Sequence, residues 1–197
     1  MSDLTILIPA AGASTRMRGA DKLLTEIDGT PLLRRTVQVA LAATADVLVT
    51  LRPQDTARQC ALKDLAVRTL AIADAGLGLS ASLRGAAAAT PRGGLLILPA
   101  DMPDITTADL GLMIDAARQF PGAILRATGV DGSQGHPVLF PADLLPAFAT
   151  LTGDEGARAL LQTHKARLHL IPLPDQHALT DLDTPEAWAA WRNTRSV

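Results

Sequence analysis

The chain has 197 residues, 48% of them hydrophobic and 3% aromatic, with a formal charge of −2 at pH 7. That length suits one domain with a substantial core, and the aliphatic composition favours helix-on-sheet packing over an aromatic binding surface. The small net charge excludes broad electrostatic binding to nucleic acid or to an acidic membrane, so an anionic ligand needs a local basic site.

Met1-Ser2-Asp3 is not a secretory n-region, and the apolar run at 4–8 is broken by Pro9 and Gly12. The run therefore reads as a first buried strand, not a signal or membrane helix, and a soluble cytoplasmic protein is expected. Leu32, Leu33, Val37, Ala40 and Leu41 form one stripe and predict a helix over 31–43, with Pro31 in its first turn. A strand follows at 46–51, then a helix over 56–65 that carries the single cysteine, Cys60, expected to be buried or inert. Further strands are predicted at 67–73 and 95–98, and a helix at 106–120 opens with Thr106 and Asp109 in capping-box spacing. Strands at 123–127 and 137–140, helices at 142–151 and 155–163, a strand at 168–173 and a helix at 185–192 complete the chain. Alternation of this kind implies right-handed crossovers and a mostly parallel sheet covered on both faces: a Rossmann-like α/β three-layer sandwich, residues 1–197 forming one domain.

Chemistry concentrates at the ends of the predicted strands. After the first strand the chain reads Ala10-Ala11-Gly12-Ala13-Ser14-Thr15-Arg16-Met17-Arg18-Gly19-Ala20-Asp21-Lys22. Small residues at Ala10, Ala11 and Gly12 let main-chain N–H groups approach a ligand closely, and exposed amides there form an anion site. Arg16 and Lys22 add positive charge. The segment matches neither the dinucleotide fingerprint nor the P-loop, and a glycine turn beside basic residues is common at ordinary strand–helix joints.

Asp101, in Leu98-Pro99-Ala100-Asp101-Met102-Pro103-Asp104, lies just beyond a buried strand, where ligands of open α/β sheets bind. A hard carboxylate there suits Mg²⁺, although the composition is also that of a turn. In Gly76-Leu77-Gly78-Leu79-Ser80-Ala81-Ser82-Leu83, Ser80 or Ser82 either caps the next helix or faces a ligand. In Thr180-Asp181-Leu182-Asp183-Thr184-Pro185-Glu186, an extended backbone would point Asp181 and Asp183 to one side. Asp183 is either a metal ligand or, with Thr184, a cap for the helix that begins at Pro185.

The string A-A-G-x-x-x-R-M-x-G-x-x-K resembles the signature of nucleotidyltransferases with a MobA-like fold, with Arg18 inserted where many relatives have Met-Gly directly. L-P-A-D-M-P resembles the metal-aspartate motif of that family, G-L-S-A-S-L its nucleotide-pocket segment, and D-L-D-T-P-E its closing segment. Gln134-Gly135-His136-Pro137-Val138-Leu139-Phe140 and Gly153-Asp154-Glu155-Gly156-Ala157-Arg158 are similar to family strings on the acceptor side.

The resemblance implies a nucleotide-diphospho-sugar transferase-like fold and a site divided between nucleotide and acceptor. Ala10, Ala11, Gly12, Arg16, Lys22, Gly78, Ser80 and Ser82 would bind the nucleotide. Lys22, Arg16 and Asp101 would carry catalysis, Asp101 and Asp183 would hold Mg²⁺, and His136 and Asp154 would bind the acceptor. The activity it suggests most closely is transfer of CMP from CTP to the terminal phosphate of molybdenum cofactor (molybdopterin), whose product passes to a molybdoenzyme. Alternatives are a guanylyltransferase, a sugar- or alditol-phosphate nucleotidyltransferase, or a non-catalytic carrier of the cofactor.

Overall fold

The computed structural model describes residues 4–14, 17–44, 46–90, 93–153 and 156–195. Its centre is β1 (Leu4–Pro9), an aliphatic strand that pairs in parallel with β4 (Val47–Leu51) on one side and β6 (Gly94–Ile97) on the other. Alternation along β1 divides the core into two layers. Ile6 and Ile8 join one cluster with Leu33, Val37, Leu110 and Met113, while Leu7 joins a second with Leu83, Phe140 and Phe148. The first layer is thus closed by α1 (Leu32–Ala43) and α4 (Thr107–Gln119), and the second by α3 (Leu79–Ala88).

The seven-stranded sheet has the order β5-β4-β1-β6-β8-β7-β9, with β5 at Arg68–Ala71, β7 at Ile124–Thr128, β8 at Gln134–Phe140 and β9 at Leu168–Pro172. All neighbours are parallel except β8, which runs antiparallel to both β6 and β7. The chain leaves β1 toward β4 but leaves β6 toward the other edge. The strand order therefore reverses between β1 and β6, and a crevice opens at their carboxyl ends.

The expected α/β order holds, with local differences that have identifiable causes. A small hairpin of β2 (Glu26–Ile27) and β3 (Thr30–Pro31) precedes α1, turning through Asp28 and Gly29, both with positive φ as a two-residue type I′ turn requires. The helix expected over 56–65 is α2 (Thr56–Ala61), ended early as Asp64 enters the left-handed region. Cys60 on it is exposed, not buried. Thr106 and Asp109 form the complete capping box of α4. The segment expected as a helix over 142–151 is a 3-10 stretch, Ala142–Thr150, because Pro146 lacks the N–H that an α-helix needs there. A short α5 follows at Arg158–Thr163.

The last helix, α6 (Pro185–Arg195), lays Trp188 and Trp191 against Met17, Ile27, Leu32 and Leu182. Trp191 Nε1 donates to Asp104 Oδ1 at 2.8 Å. These contacts hold the closing D-L-D-T-P-E segment against the loops that follow β1 and β6. No helix among the described residues is long and apolar enough to cross a membrane.

Candidate active site

A cavity of about 530 Å³ opens at the β1/β6 crevice, lined among others by Ala11, Gly12, Lys22, Gly78, Ser82, Asp101 and His136. Residues predicted from four separate sequence segments thus meet in one place. Ala10 and Ser80 do not line it. Ala10 is fully buried beneath the loop, and Ser80 lies buried inside α3 with its hydroxyl 3.4 Å from Arg84. Neither serine caps that helix: its N-cap is Gly78, at φ +95°, and the serines fall within the first turns, with Ser82 toward the cavity. Arg16 and Asp154 lie outside the described residues.

The loop after β1 is held by two arginines that sequence reasoning did not single out. Arg58, on α2 and only 3% exposed, donates through Nη1 to the carbonyls of Ala10 at 2.6 Å and Gly12 at 2.8 Å. Its Nε and Nη2 grip both Asp21 carboxylate oxygens at 2.8 and 2.9 Å, and Nη2 also reaches Ser14 Oγ. Arg52 Nε takes the intervening Ala11 carbonyl at 2.8 Å. Three successive carbonyls are therefore tied to guanidinium groups, whereas the amides of Ala11, Gly12, Ala13 and Ser14 have no protein acceptor among the described residues. A Cβ built on Gly12 would meet nothing within 4 Å, so the missing side chain there leaves ligand space, not packing space. This is an anion cradle made of backbone N–H groups. Burial works against the Asp21 carboxylate, but the Arg58 hydrogen bonds and charge outweigh it and hold its pKa below the ordinary 3.8.

Lys22 is the electrostatic hub. Its Nζ donates to Asp101 Oδ2 at 2.5 Å and to Asp183 Oδ1, all three side chains being largely buried. Burial opposes the Lys22 charge, yet the two carboxylates prevail and raise its pKa above the usual lysine value. Burial also pushes the Asp101 carboxyl up; Lys22 offsets part of that, and the nearby Asp183 charge adds to the rise. Asp183 reaches this point because buried Leu182 donates its N–H to the Asp101 carbonyl at 3.0 Å, which fixes the strap above the crevice. Capping of α6 falls to Thr184, whose hydroxyl accepts from the Ala187 N–H at 3.1 Å. Asp181 is exposed and does not share the Lys22 contact.

The donor set can be tested against a divalent ion. Two carboxylate oxygens converge on one nitrogen, close enough to share a single cation, and their mutual repulsion would be relieved by it. Among the described residues no group of three or more His, Cys, Asp or Glu could hold a metal. Two carboxylates completed by water and phosphate oxygens are the pattern of Mg²⁺, not of a protein-only metal cage. The residues present fit such an ion.

His136 stands at the far wall of the cavity. Gly135 before it is packed so tightly that a Cβ would fall 1.9 Å from the Ala178 carbonyl oxygen, which also accepts the His136 N–H at 2.9 Å. The ring Nδ1 is buried and has no hydrogen-bond partner among the described residues. Burial, reinforced by Arg126, lowers the His136 pKa from 6.5 to about 4. The folded protein therefore keeps this ring neutral while the unfolded chain takes up a proton below 6.5, so unfolding binds more protons between those values. Stability is expected to fall as pH drops from about 6.5 toward 4, and His136→Gln to flatten that slope. Thermal melts of both proteins at pH 7 and pH 5 check this; parallel losses in the two would refute it.

A switch-point crevice with an amide cradle, a lysine and two paired carboxylates defines a nucleotidyltransferase. The chain belongs to the family of the MobA-like NTP transferase domain, whose model matches residues 6–168. It is 31% identical over 194 residues to a molybdenum cofactor guanylyltransferase of Pseudomonas paraeruginosa, covering 94% of this chain and 92% of that protein. It is 28% identical over 193 residues to nicotine blue oxidoreductase of Paenarthrobacter nicotinovorans, covering 93% of each. Rv0371C of Mycobacterium tuberculosis H37Rv, solved as a manganese complex, superposes with a TM-score of 0.80 at 26% identity, covering 98% of this chain and 99% of that one.

Proposed function

We propose that the protein transfers CMP from CTP to the terminal phosphate of molybdenum cofactor, with Mg²⁺ and release of pyrophosphate. The observation that carries this reading is the convergence of Asp101 and Asp183 on Lys22 beside the amide cradle. The acceptor needs no enzymatic base, because a phosphomonoester has a second pKa of about 6 and is largely dianionic at neutral pH. Its oxygen forms a bond to the α-phosphorus as the bond to the β-phosphate breaks and pyrophosphate leaves.

The task left to the chain is positioning and neutralisation of charge. The amides of residues 11–14 hold phosphate oxygens, Lys22 neutralises charge developing around the α-phosphate, and Arg16 holds the leaving pyrophosphate. Asp101 and Asp183 would hold the divalent metal, which would supply positive charge against the phosphates. Neutral His136 borders the acceptor side, Asp154 serves the same side, and the product passes to a molybdoenzyme.

The methyl of Ala11, at the cavity wall, narrows the base slot relative to glycine and supports a pyrimidine. A second reading, GTP in place of CTP, is favoured by the guanylyltransferase name of the 31%-identical relative. A pyrophosphate-release screen over four nucleoside triphosphates, with and without molybdenum cofactor, separates them. Release with CTP that depends on the cofactor is expected. Release with GTP alone, or with a sugar phosphate in place of the cofactor, would overturn the reading.

A further inference from the structure

Between β9 and α6, residues 173–184 form neither helix nor strand, yet both sides of the site hang on them. The Ala178 carbonyl accepts the His136 N–H at 2.9 Å, and the Leu182 N–H donates to the Asp101 carbonyl at 3.0 Å. Asp183 follows at once and accepts from Lys22. A connecting segment with no ladder of its own holds a fixed position only where side chains pin it.

The pin is His177. Its ring Nδ1 lies 2.9 Å from Oδ2 of Asp109, a residue of α4 that stands 68 positions earlier in the chain. That carboxylate is 1% exposed, and the same oxygen already accepts the Thr106 N–H at 2.8 Å and the Thr106 hydroxyl at 2.7 Å. The capping box of α4 is complete without a histidine, so this further donor serves something other than the helix. A carboxylate only accepts, so Nδ1 must carry the hydrogen, and the bond is of the strong, charge-assisted kind.

The backbone on either side of His177 is stiff. The His177 N–H turns back to the Pro174 carbonyl at 3.1 Å. The Gln176 carbonyl accepts the Leu179 N–H at 2.8 Å, the Thr180 N–H at 3.0 Å and the Thr180 hydroxyl at 3.1 Å. Leu179 presses on Gly129 and Gly135, where a Cβ would fall 2.8 and 2.9 Å from its methyls. A displacement at His177 is therefore passed along to Ala178 and beyond, because close packing leaves no slack to absorb it.

We propose that His177 is a positioning residue. By gripping Asp109 it sets the strap so that Ala178 holds His136 at the cavity wall and Asp183 meets Lys22 and Asp101. His177 is not among the residues lining the crevice cavity and acts through these neighbours. Only the catalytic consequence rests on the reading of Asp183 as a metal ligand.

The test compares His177→Leu, which fills the space without a donor, with His177→Asn, whose side-chain nitrogen can stand where Nδ1 does. Mn²⁺, an octahedral stand-in for Mg²⁺ with a spin signal, is titrated into each full chain and followed by electron paramagnetic resonance. Affinity is expected to fall at least about tenfold in His177→Leu, the usual cost of losing a group that orients a metal ligand. His177→Asn should restore it, and in an Asp183→Asn background His177→Leu should cost less than about twofold more, because the two act as one unit. An unchanged affinity in His177→Leu, an additive loss in the double variant, or no rescue by asparagine overturns the proposal. Amide spectra of the folded variants give a second readout that needs no metal. The Leu182 and Asp183 resonances should move in His177→Leu and return in His177→Asn, whereas shifts confined to residues 174–180 and the start of α4 would overturn the proposal. If the wild type binds no Mn²⁺, the metal assignment falls and the amide spectra decide the role of His177. If His177→Leu does not fold, Asp109→Asn weakens the same grip by removing the acceptor's charge.

Discussion

Lys22→Ala is expected to slow pyrophosphate release by about 10²–10³ while the protein still folds, the usual cost of removing one preorganised charge from a transition state. The substitution does more than delete a positive group. Lys22 is the shared hydrogen-bond partner of Asp101 and Asp183, so its loss leaves two carboxylates facing each other in a largely buried crevice. Burial and the Asp183 charge already raise the Asp101 pKa, and without Lys22 only a backbone hydrogen bond offsets them. The acid limb of the pH–rate profile should therefore move to higher pH in Lys22→Ala, and higher Mg²⁺ should recover part of the rate. Asp101→Ala should be equally impaired without that shift. Steady-state rates from pH 5 to 9 with stepped Mg²⁺ measure all three effects. Near-wild-type turnover in both variants would remove Lys22 and Asp101 from the reaction.

The second large effect is expected at Arg58, which is not among the residues lining the crevice cavity and acts through the loop. Arg58→Met removes the guanidinium donors from the Ala10 and Gly12 carbonyls and leaves the Asp21 carboxylate with only the Leu23 N–H and the Ser14 hydroxyl. Breaking such a buried set should destabilise the protein by on the order of 3 kcal/mol. Asp21 stabilises the fold above its ordinary pKa of 3.8, and that contribution is lost as pH falls through its lowered folded value. Denaturation of Arg58→Met should accordingly show less dependence on pH below 3.8 than the wild type. The functional consequence is separable from the stability loss. Freed carbonyls let the loop turn its amides away, so KM for the nucleotide should rise about tenfold or more at temperatures where the variant is fully folded. Arg58→Lys, which keeps the charge but cannot fork across two carbonyls and a carboxylate, should restore stability more than it restores KM. An unchanged KM in both variants would reduce Arg58 to a purely structural role.

Much of this site is legible along the chain because its parts are local. Small residues followed by Lys22 after an aliphatic run, and Asp101 after another, are read directly from strand length and the composition of the turn. The complete capping box at Thr106 and Asp109 is equally local. Where local reading fell short, a competing local signal was present. The Asp28-Gly29 pair marks the small hairpin before α1, Pro146 forbids the α-helix expected around it, and Gly78 displaces the serines from the cap.

Other features carry no local mark. Arg58 sits 48 residues from the Ala10 carbonyl and 37 from Asp21, on a helix whose sequence gives no hint that its guanidinium is buried. The choice between Asp181 and Asp183 depends on Leu182 docking to the Asp101 carbonyl, a contact made only when the closing strap folds over the sheet. Arg126 on β7 and Arg158 at the start of α5 line one cavity although they stand far apart in the chain.

The sequence by itself determined the strands, most of the helices, and which segments lie at strand ends, since periodicity and turn chemistry act over a few residues. Tertiary structure decided which charges face one another. Pairing across tens of residues depends on strand order and on burial, and neither is written in any short stretch of chain. The nucleotide side of the crevice is built mainly on the first kind of information, and the arginine-lined cavity beyond His136 on the second.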